Sequence, residues 1–271
     1  MMSKYASNKG TKNSSAPLLK GVNRALEVLE LVASKPGRAT DIANELGISW
    51  ATLHRTLSQL EQGGFLERDS DSGRYNIGTK AWQIGTKYLA NHRVLELAQP
   101  YLDSAAGKGS LTVQLVQRSG RIALTLYSRN ISGEIITKAT YGYHFPLHCG
   151  SKGQVLLAYS PREFIESYLD GPLESLTSES VVNPEEIRKI IEDIKSNGYA
   201  FTEGDVQPFS GSISAPVFNH QGSLVAAVCI ITRRSVFKDQ ARKEEITEIV
   251  LQTTQSISIA LGWRPSGILK K

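Results

Sequence analysis

The spacing of apolar residues changes near Gly107-Lys108-Gly109, and that change divides the chain into two kinds of structure. Upstream, Val22, Ala25, Leu26, Leu29, Val32 and Ala33 recur at intervals of three and four, as on one face of a helix. Pro36-Gly37 stops this first helix. A second is predicted from Thr40, whose hydroxyl can cap free backbone N–H groups, to Gly47. A third begins after Ser49, again a good cap, and runs to Gln62 before Gly63-Gly64. "FLERDSDSGRYNIG" then places two β-like runs, 65–68 and 74–77, around the turn formers of 69–73, a hairpin pattern. Residues 79–106 are helical in pattern, with a break expected at Gln99-Pro100 because proline fits a helix's first turn and not its interior.

Downstream of Gly107, "LTVQLVQ", "RIALTLYS" and "EIITKA" are β-branched runs separated by turn residues, which predicts an antiparallel meander. "YGYHFPLHCGSKG" reads as a loop leading into helices over 151–159, 161–169 and 184–197. Three more strands, 199–202, 212–218 and 224–231, precede a long helix over 238–261. Strands on both sides of the helices predict an α+β fold, with helices packed against an antiparallel sheet.

A chain of 271 residues, 40% of them hydrophobic, is long enough for two ordinary cores. No apolar run approaches the roughly 18 residues needed to span a bilayer, and the N-terminus lacks the apolar stretch of a signal peptide. A cytoplasmic protein without a membrane partner is therefore expected. Cys149 and Cys229 are the only two cysteines and lie far apart, which gives no disulfide framework and fits a reducing compartment. The net charge of +5 is uneven: residues 1–92 hold 12 Lys+Arg against 8 Asp+Glu, and residues 93–271 hold 19 against 18. Lys4, Lys9, Lys12 and Lys20 occur in the first twenty residues with no acid, so this flexible basic tail is either simply solvated or an arm that adds phosphate contacts.

The predicted third helix has two distinct faces. Leu53, Leu57 and Leu60, with Ile48 before them, should pack on the other two helices. The opposite face carries Trp50, Ala51, His54, Arg55 and Ser58, with Thr52 at the boundary and Ser49 as cap. Arg, His and Thr near the start of a helix that follows a short turn have the chemistry of a recognition helix, whose first side chains reach base edges in the major groove. Arg55 suits guanine or phosphate, and Trp50 either packs on a thymine methyl or sugar edge or covers the edge of the small core. Arg68 and Arg74 on the hairpin would act as a wing against the DNA backbone.

In order and spacing, "RALEVLELVASKPGRATDIANELGISWATLHRTLSQLEQGGFLERDSDSGRYNIG" resembles the winged helix-turn-helix of the IclR family, bacterial transcription factors of the isocitrate-lyase-regulator type. The likeness continues through "LAQPYLD", "PLHCGSKGQVLLAYSP", "NGYAFTEGD" and "SISAPVFNHQGSLVAAVCI". It implies a winged helix-turn-helix DNA-binding domain over 21–78, linker helices over 79–106 and a GAF/PAS-like effector-binding domain over 107–263. The tails 1–20 and 264–271 fall outside. It further implies homodimers, often dimers of dimers, on palindromic double-stranded operators, and a small-molecule effector that shifts DNA affinity. Val28 and Leu31, outside the face first read as core, fit either a dimer contact or a broader core. Ser49 through Arg55 match the family's DNA helix, with Trp50 where a basic residue is common, Ala51 where serine is common and His54 where tyrosine is frequent.

For the second domain the resemblance places Cys149, Gly150, Ser151 and Lys152, with Gly153, in the segment whose backbone N–H groups receive an effector's anionic end at a helix start. His144 and His148 are expected to line or gate the pocket, or simply to cap loop carbonyls. Asp205 falls near an acidic pocket position, Ser212 matches a frequent cysteine, and Cys229 and Ile231 match two positions that are often serines. The less polar floor suggests an effector with an apolar or aromatic part and one anionic or amide end, such as an aromatic acid or amide. A repressor of a catabolic operon is the expected role, with an activator and a protein-binding sensor as the alternatives. "CGSKG" is neither a nucleophile elbow nor a phosphate-binding loop, so no enzyme is expected. No cofactor or metal is expected either, although His144, His148 and Cys149 have zinc-compatible chemistry.

Overall fold

The computed structural model describes residues 20–108, 111–130 and 142–264. The basic tail up to residue 19, the expected "EIITKA" strand and residues 265–271 lie outside them. The chain divides into two compact units between Asn91 and His92.

The first unit holds α1 (Lys20–Ser34), α2 (Ala39–Leu46), α3 (Trp50–Gln62), β1 (Leu66–Arg68), β2 (Tyr75–Ile77) and α4 (Thr79–Ala90). Its core joins Val28, Val32, Ile42, Leu53, Leu57, Leu66 and Tyr75. On α1 this corrects the expected face: Val28 and Val32 are buried, whereas Val22 and Leu26 are 57% and 52% exposed and Ala33 is exposed. Three-and-four spacing allows overlapping stripes on this helix, and α2 and α3 cover the one through Val28. Leu31 and Leu29 pack at the edge of the same core, so Val28 and Leu31 belong to a core face and not to a spare surface. Fully burying a leucine such as Leu53 or Leu57 stabilises the unit by about 1.5–3 kcal/mol each.

Arg38, not Thr40, is the N-cap of α2, and its N–H donates to Asp41 Oδ2 at 3.1 Å. Thr40 lies inside the first turn, because an aspartate three residues beyond Arg38 satisfies the terminus better than a threonine hydroxyl two residues on. Gly47 ends α2 with φ +63°, a left-handed conformation that disfavours a side chain. The hairpin pairs Leu66 with Ile77 and Arg68 with Tyr75, and Tyr75 N–H also bonds to Gly37 carbonyl at 2.9 Å.

The second unit holds α5 (Arg93–Gly107), β3 (Thr112–Ser119), β4 (Ile122–Asn130), β5 (His144–Pro146), α6 (Gly150–Ala158), α7 (Arg162–Leu169) and α8 (Pro184–Asn197). It continues with β6 (Ala200–Glu203), β7 (Ser210–Phe218), β8 (Leu224–Arg233), a 3-10 turn (Arg234–Lys238) and α9 (Gln240–Ala260). The six strands form one antiparallel sheet in the order β5-β4-β3-β8-β7-β6. Helices α5 and α9 cover one face, and α6, backed by α8, covers the other. The α+β fold read from the sequence is therefore present.

Two local expectations fail. Pro100 sits inside α5, and the helical pattern breaks instead at Asn91-His92, where His92 Nδ1 accepts the Leu95 N–H at 3.3 Å. Pro100 and Glu96 are exposed, so the carbonyl that proline leaves without an N–H donor can bond to water. The segment read as a loop before α6 contains β5, which pairs Ala123 with Phe145 and ends at Pro146, a residue compatible with a sheet edge.

Candidate functional site

On α3 the inner residues Leu53 and Leu57 fix the helix against the core, and this turns a polar stripe outward. Ser49, Trp50, Ala51, His54, Arg55 and Ser58 are exposed and Thr52 is half-buried. Ser49 adopts the extended N-cap conformation, but its hydroxyl donates to Thr52 Oγ1 at 2.9 Å and not to the helix backbone. Trp50 is 60% exposed and stacks on His54 one turn later, with ring centroids 4.8 Å apart and planes at 27°. Trp50 is therefore outside the core. Arg55 has no hydrogen-bond or ion-pair partner among the described residues.

Arg68 and Arg74 are also exposed, with the Arg68 guanidinium 5.9 Å from the Tyr75 ring centroid. Between them, Asp69 Oδ1 accepts the N–H and hydroxyl of Ser72, both at 2.7 Å. These bonds hold the Asp69 carboxyl below its ordinary range and fix the turn.

The second cluster lies where α6 meets the sheet. Strand register aligns Ser128, Gln114, Cys229 and Ser214 in one row across β4, β3, β8 and β7. The next row runs through Thr112, Ile231, Ser212 and Thr202 on the same face. From α6, Ser151 Oγ reaches Ser212 and Ser214, each at 2.7 Å, and lies 4.0 Å from Cys229 Sγ. Lys152 Nζ donates to Gln114 Oε1 at 2.5 Å and lies 4.7 Å from the Phe145 ring centroid. Cys229 and Ile231 form a small buried apolar pair amid these hydroxyls.

The helix start differs from the expected open anion receptor. Gly150 N–H donates to Asp205 Oδ2 at 2.6 Å, and Ser151 N–H donates to Thr202 Oγ1 at 3.1 Å. The positive end of α6 is thus already engaged by the chain's own carboxylate and hydroxyl. Burial raises the Asp205 carboxyl above its usual range, and the Gly150 bond opposes that rise. Gly150 itself has φ +69°, and a Cβ there would lie 2.9 Å from Val206 Cγ2, so only glycine suits the position.

His148 and Cys149 are buried beside this site and turned away from chemistry. His148 Nε2 donates to the Glu174 carbonyl at 2.9 Å, and its Nδ1 lies 2.8 Å from the Tyr168 hydroxyl. Burial lowers the His148 pKa and pushes the Cys149 thiol up to about 12, the latter with help from Asp205. A thiol held protonated is a poor nucleophile. His144 is exposed with its ring Nδ1 3.3 Å from the Gly142 carbonyl, and no group of three His, Cys, Asp or Glu able to hold a metal occurs among the described residues.

Sequence reasoning missed Gln114, Ser214, Thr202 and Thr112. Ser214 was recoverable, because it alternates with Ser212 in "SGSIS" and must share its face. Gln114 and Thr112 are the polar members of the buried stretch 112–116 of β3. Lys152 was assigned for its backbone, whereas its side chain lies in the cluster.

The match to known proteins extends over both units. A family model described as the IclR helix-turn-helix domain matches residues 21–70, and one described as bacterial transcriptional regulator IclR C-terminal matches residues 86–259. The chain belongs to the IclR family. The HTH-type transcriptional regulator KipR of Bacillus subtilis is 28% identical over 248 residues, covering 90% of this chain and 98% of KipR. The HTH-type transcriptional repressor AllR of Klebsiella pneumoniae is 26% identical over 247 residues, covering 90% of each chain. An IclR homolog from Microbacterium hydrocarbonoxydans, crystallised with 4-hydroxybenzoate, has the same fold: TM-score 0.76 at 23% identity, covering 89% of this chain and 99% of that one. This IclR-family member is accordingly a DNA-binding transcriptional regulator and not an enzyme.

Proposed function

We propose that this regulator represses a catabolic operon, and that a small effector held between α6 and the sheet changes its affinity for a palindromic operator. The observation that carries the reading is the enclosed polar band of Ser151, Ser212, Ser214, Gln114 and Lys152 around the apolar pair Cys229 and Ile231. Polar groups that fix orientation beside an apolar surface suit a ligand with an aromatic part and one anionic or amide end. The 4-hydroxybenzoate held by the Microbacterium homolog is such a compound, and AllR's description as a repressor supports the sign.

DNA contact is assigned to Ser49, Trp50, Ala51, Thr52, His54, Arg55 and Ser58 on α3, with Arg68 and Arg74 on the wing. A second copy of the chain supplies the other half-site. Helix α4 contains no buried residue, and Trp82 and Ile84 on it are 69% and 53% exposed, apolar surface that a homodimer would cover. Effector occupancy favours one arrangement of the sensor domains, and the helices over 79–106 pass it to the spacing of the recognition helices. A ligand shifts this equilibrium only by its preference between the two states.

The test is a fluorescence-anisotropy titration with the intergenic DNA beside the protein's own gene, at two salt concentrations, with and without aromatic acids and amides. Specific, salt-sensitive binding weakened by one compound is the expected result. Binding that no compound alters would remove the effector reading.

A further inference from the structure

We infer that the Lys152 side chain is the anion receptor of the buried polar band beneath α6, so that the effector carries a carboxylate and places it at this ammonium, not at the helix N-terminus. The inference rests on the reading above that this band takes the effector, and it names the chemistry of one end of that ligand.

Lys152 is only 4% exposed, yet among the described residues no carboxylate pairs with it. Its polar surroundings are the Gln114 amide oxygen and the Cys229 thiol, with the Phe145 ring face beside them. An ammonium without a counter-ion is among the costliest groups to bury. Methionine or leucine would fill comparable space without that cost, so packing does not require a lysine here. Burial lowers the Lys152 pKa, and an incoming carboxylate would reverse that by supplying the missing charge.

Two further groups point the same way. Gln114 is braced by a bond from its Nε2 to Ser128 Oγ at 3.2 Å, which directs its Oε1 at Lys152. Thr112, one pleat along β3 on the same face, has its hydroxyl buried without a hydrogen-bond partner. A ligand that brings acceptor oxygens would satisfy both the ammonium and this hydroxyl. The N–H groups of Gly150 and Ser151 already have acceptors in Asp205 and Thr202. A carboxylate arriving there would also meet the Asp205 charge.

The probes are isosteric pairs, benzoate with benzamide and phenylacetate with phenylacetamide, titrated calorimetrically into the full-length protein and into Lys152→Met and Thr112→Val. Wild type is expected to favour the acid of each pair, and Lys152→Met to lose that preference by about tenfold or more. Thr112→Val should reduce it less. Unliganded Lys152→Met should melt at or above the wild-type temperature, because a buried unpaired charge has been removed. Retention of the acid preference in Lys152→Met overturns the assignment, as does a melting temperature well below wild type, which would make the lysine structural. Wild-type binding of the amides alone also overturns it while leaving a ligand-responsive regulator in place. Failure of every compound both to bind and to alter DNA affinity removes the two readings together.

Discussion

The outer face of α3 and the polar band under α6 carry similar side chains, hydroxyls and a cation each, but differ in what satisfies them. On α3, Arg55 has no partner among the described residues and the Trp50–His54 stack faces solvent. Under α6, Ser151, Ser212, Ser214 and Gln114 already bond to one another or to neighbours, and Asp205 holds the helix start. The exposed face can exchange water for phosphate or base edges without rearranging the fold, so substitutions there should act on binding alone. In the buried band, the groups proposed to hold the effector are also groups the fold uses, so substitutions there should act on both binding and stability.

The sharpest way to break this contrast is Arg55→Ala. It should weaken operator binding by about 1–3 kcal/mol per subunit or more, enough to abolish specific binding by a dimer, while the melting temperature stays unchanged. Normal operator affinity in this variant would show that α3 is not the reading helix. Gly150→Ala tests the other side with a single methyl group. The left-handed backbone and the 2.9 Å approach to Val206 should cost about 1–3 kcal/mol of stability in urea unfolding. An unchanged midpoint would mean that the start of α6 adapts freely and is not a fixed edge of the buried polar band.

Asp205→Asn separates charge from hydrogen bonding at the same place. Burial raises the Asp205 carboxyl above its ordinary value of 3.8. Its contribution to stability is thus fully present below that pH and is lost as pH rises through the folded-state value. The asparagine keeps an acceptor for Gly150 N–H without the charge. Its stability relative to wild type should therefore grow between pH 4 and neutrality, measured as the difference in urea midpoints. A difference that shrinks instead would show that the α6 terminus stabilises the anion more than burial penalises it.

Trp50→Ala should produce a smaller change on the exposed side. Its ring rests on His54 and not in the core, so stability should move by no more than about 0.5 kcal/mol. Loss of an apolar contact to a thymine methyl should weaken operator binding by about 1 kcal/mol. A large stability loss with unchanged DNA affinity would return Trp50 to a structural role.

The same contrast explains what was legible in the sequence. An amphipathic helix with an exposed polar stripe declares itself locally, so the bounds and outer face of α3 were readable. On α1 the spacing admitted two stripes, and only the tertiary partners select the one through Val28 and Val32. Strand β3 is buried on both faces over its first five residues, so polar Thr112 and Gln114, which alternate with Val113 and Leu115, read in the sequence as an ordinary solvent face. The polar band under α6 is assembled from distant segments: Ser151 bonds to Ser214, 63 residues away, and Lys152 to Gln114, 38 residues away. No local signal marks a lysine that points inward; in sequence Lys152 looks like part of a glycine-rich helix start.

The smallest expected effect lies on the wing, where the two arginines are held differently. The Arg68 guanidinium lies over the Tyr75 ring at 5.9 Å, whereas Arg74 is exposed at the other end of the turn, with no ring or ion-pair contact among the described residues to hold its guanidinium. If both meet only phosphate, Arg74→Ala should weaken binding uniformly across operator sequences and lower the magnitude of the salt slope by about 1 per subunit. Arg68→Ala should give the same slope change together with a slight loss of stability, because its cation–π contact is worth only about 0.5–1 kcal/mol at an exposed site. The measurement is anisotropy at four or more salt concentrations on the operator and on unrelated DNA. A sequence-dependent loss for Arg74→Ala would show that the wing reads bases, and an unchanged slope would take the hairpin out of the interface and leave recognition to α3 alone.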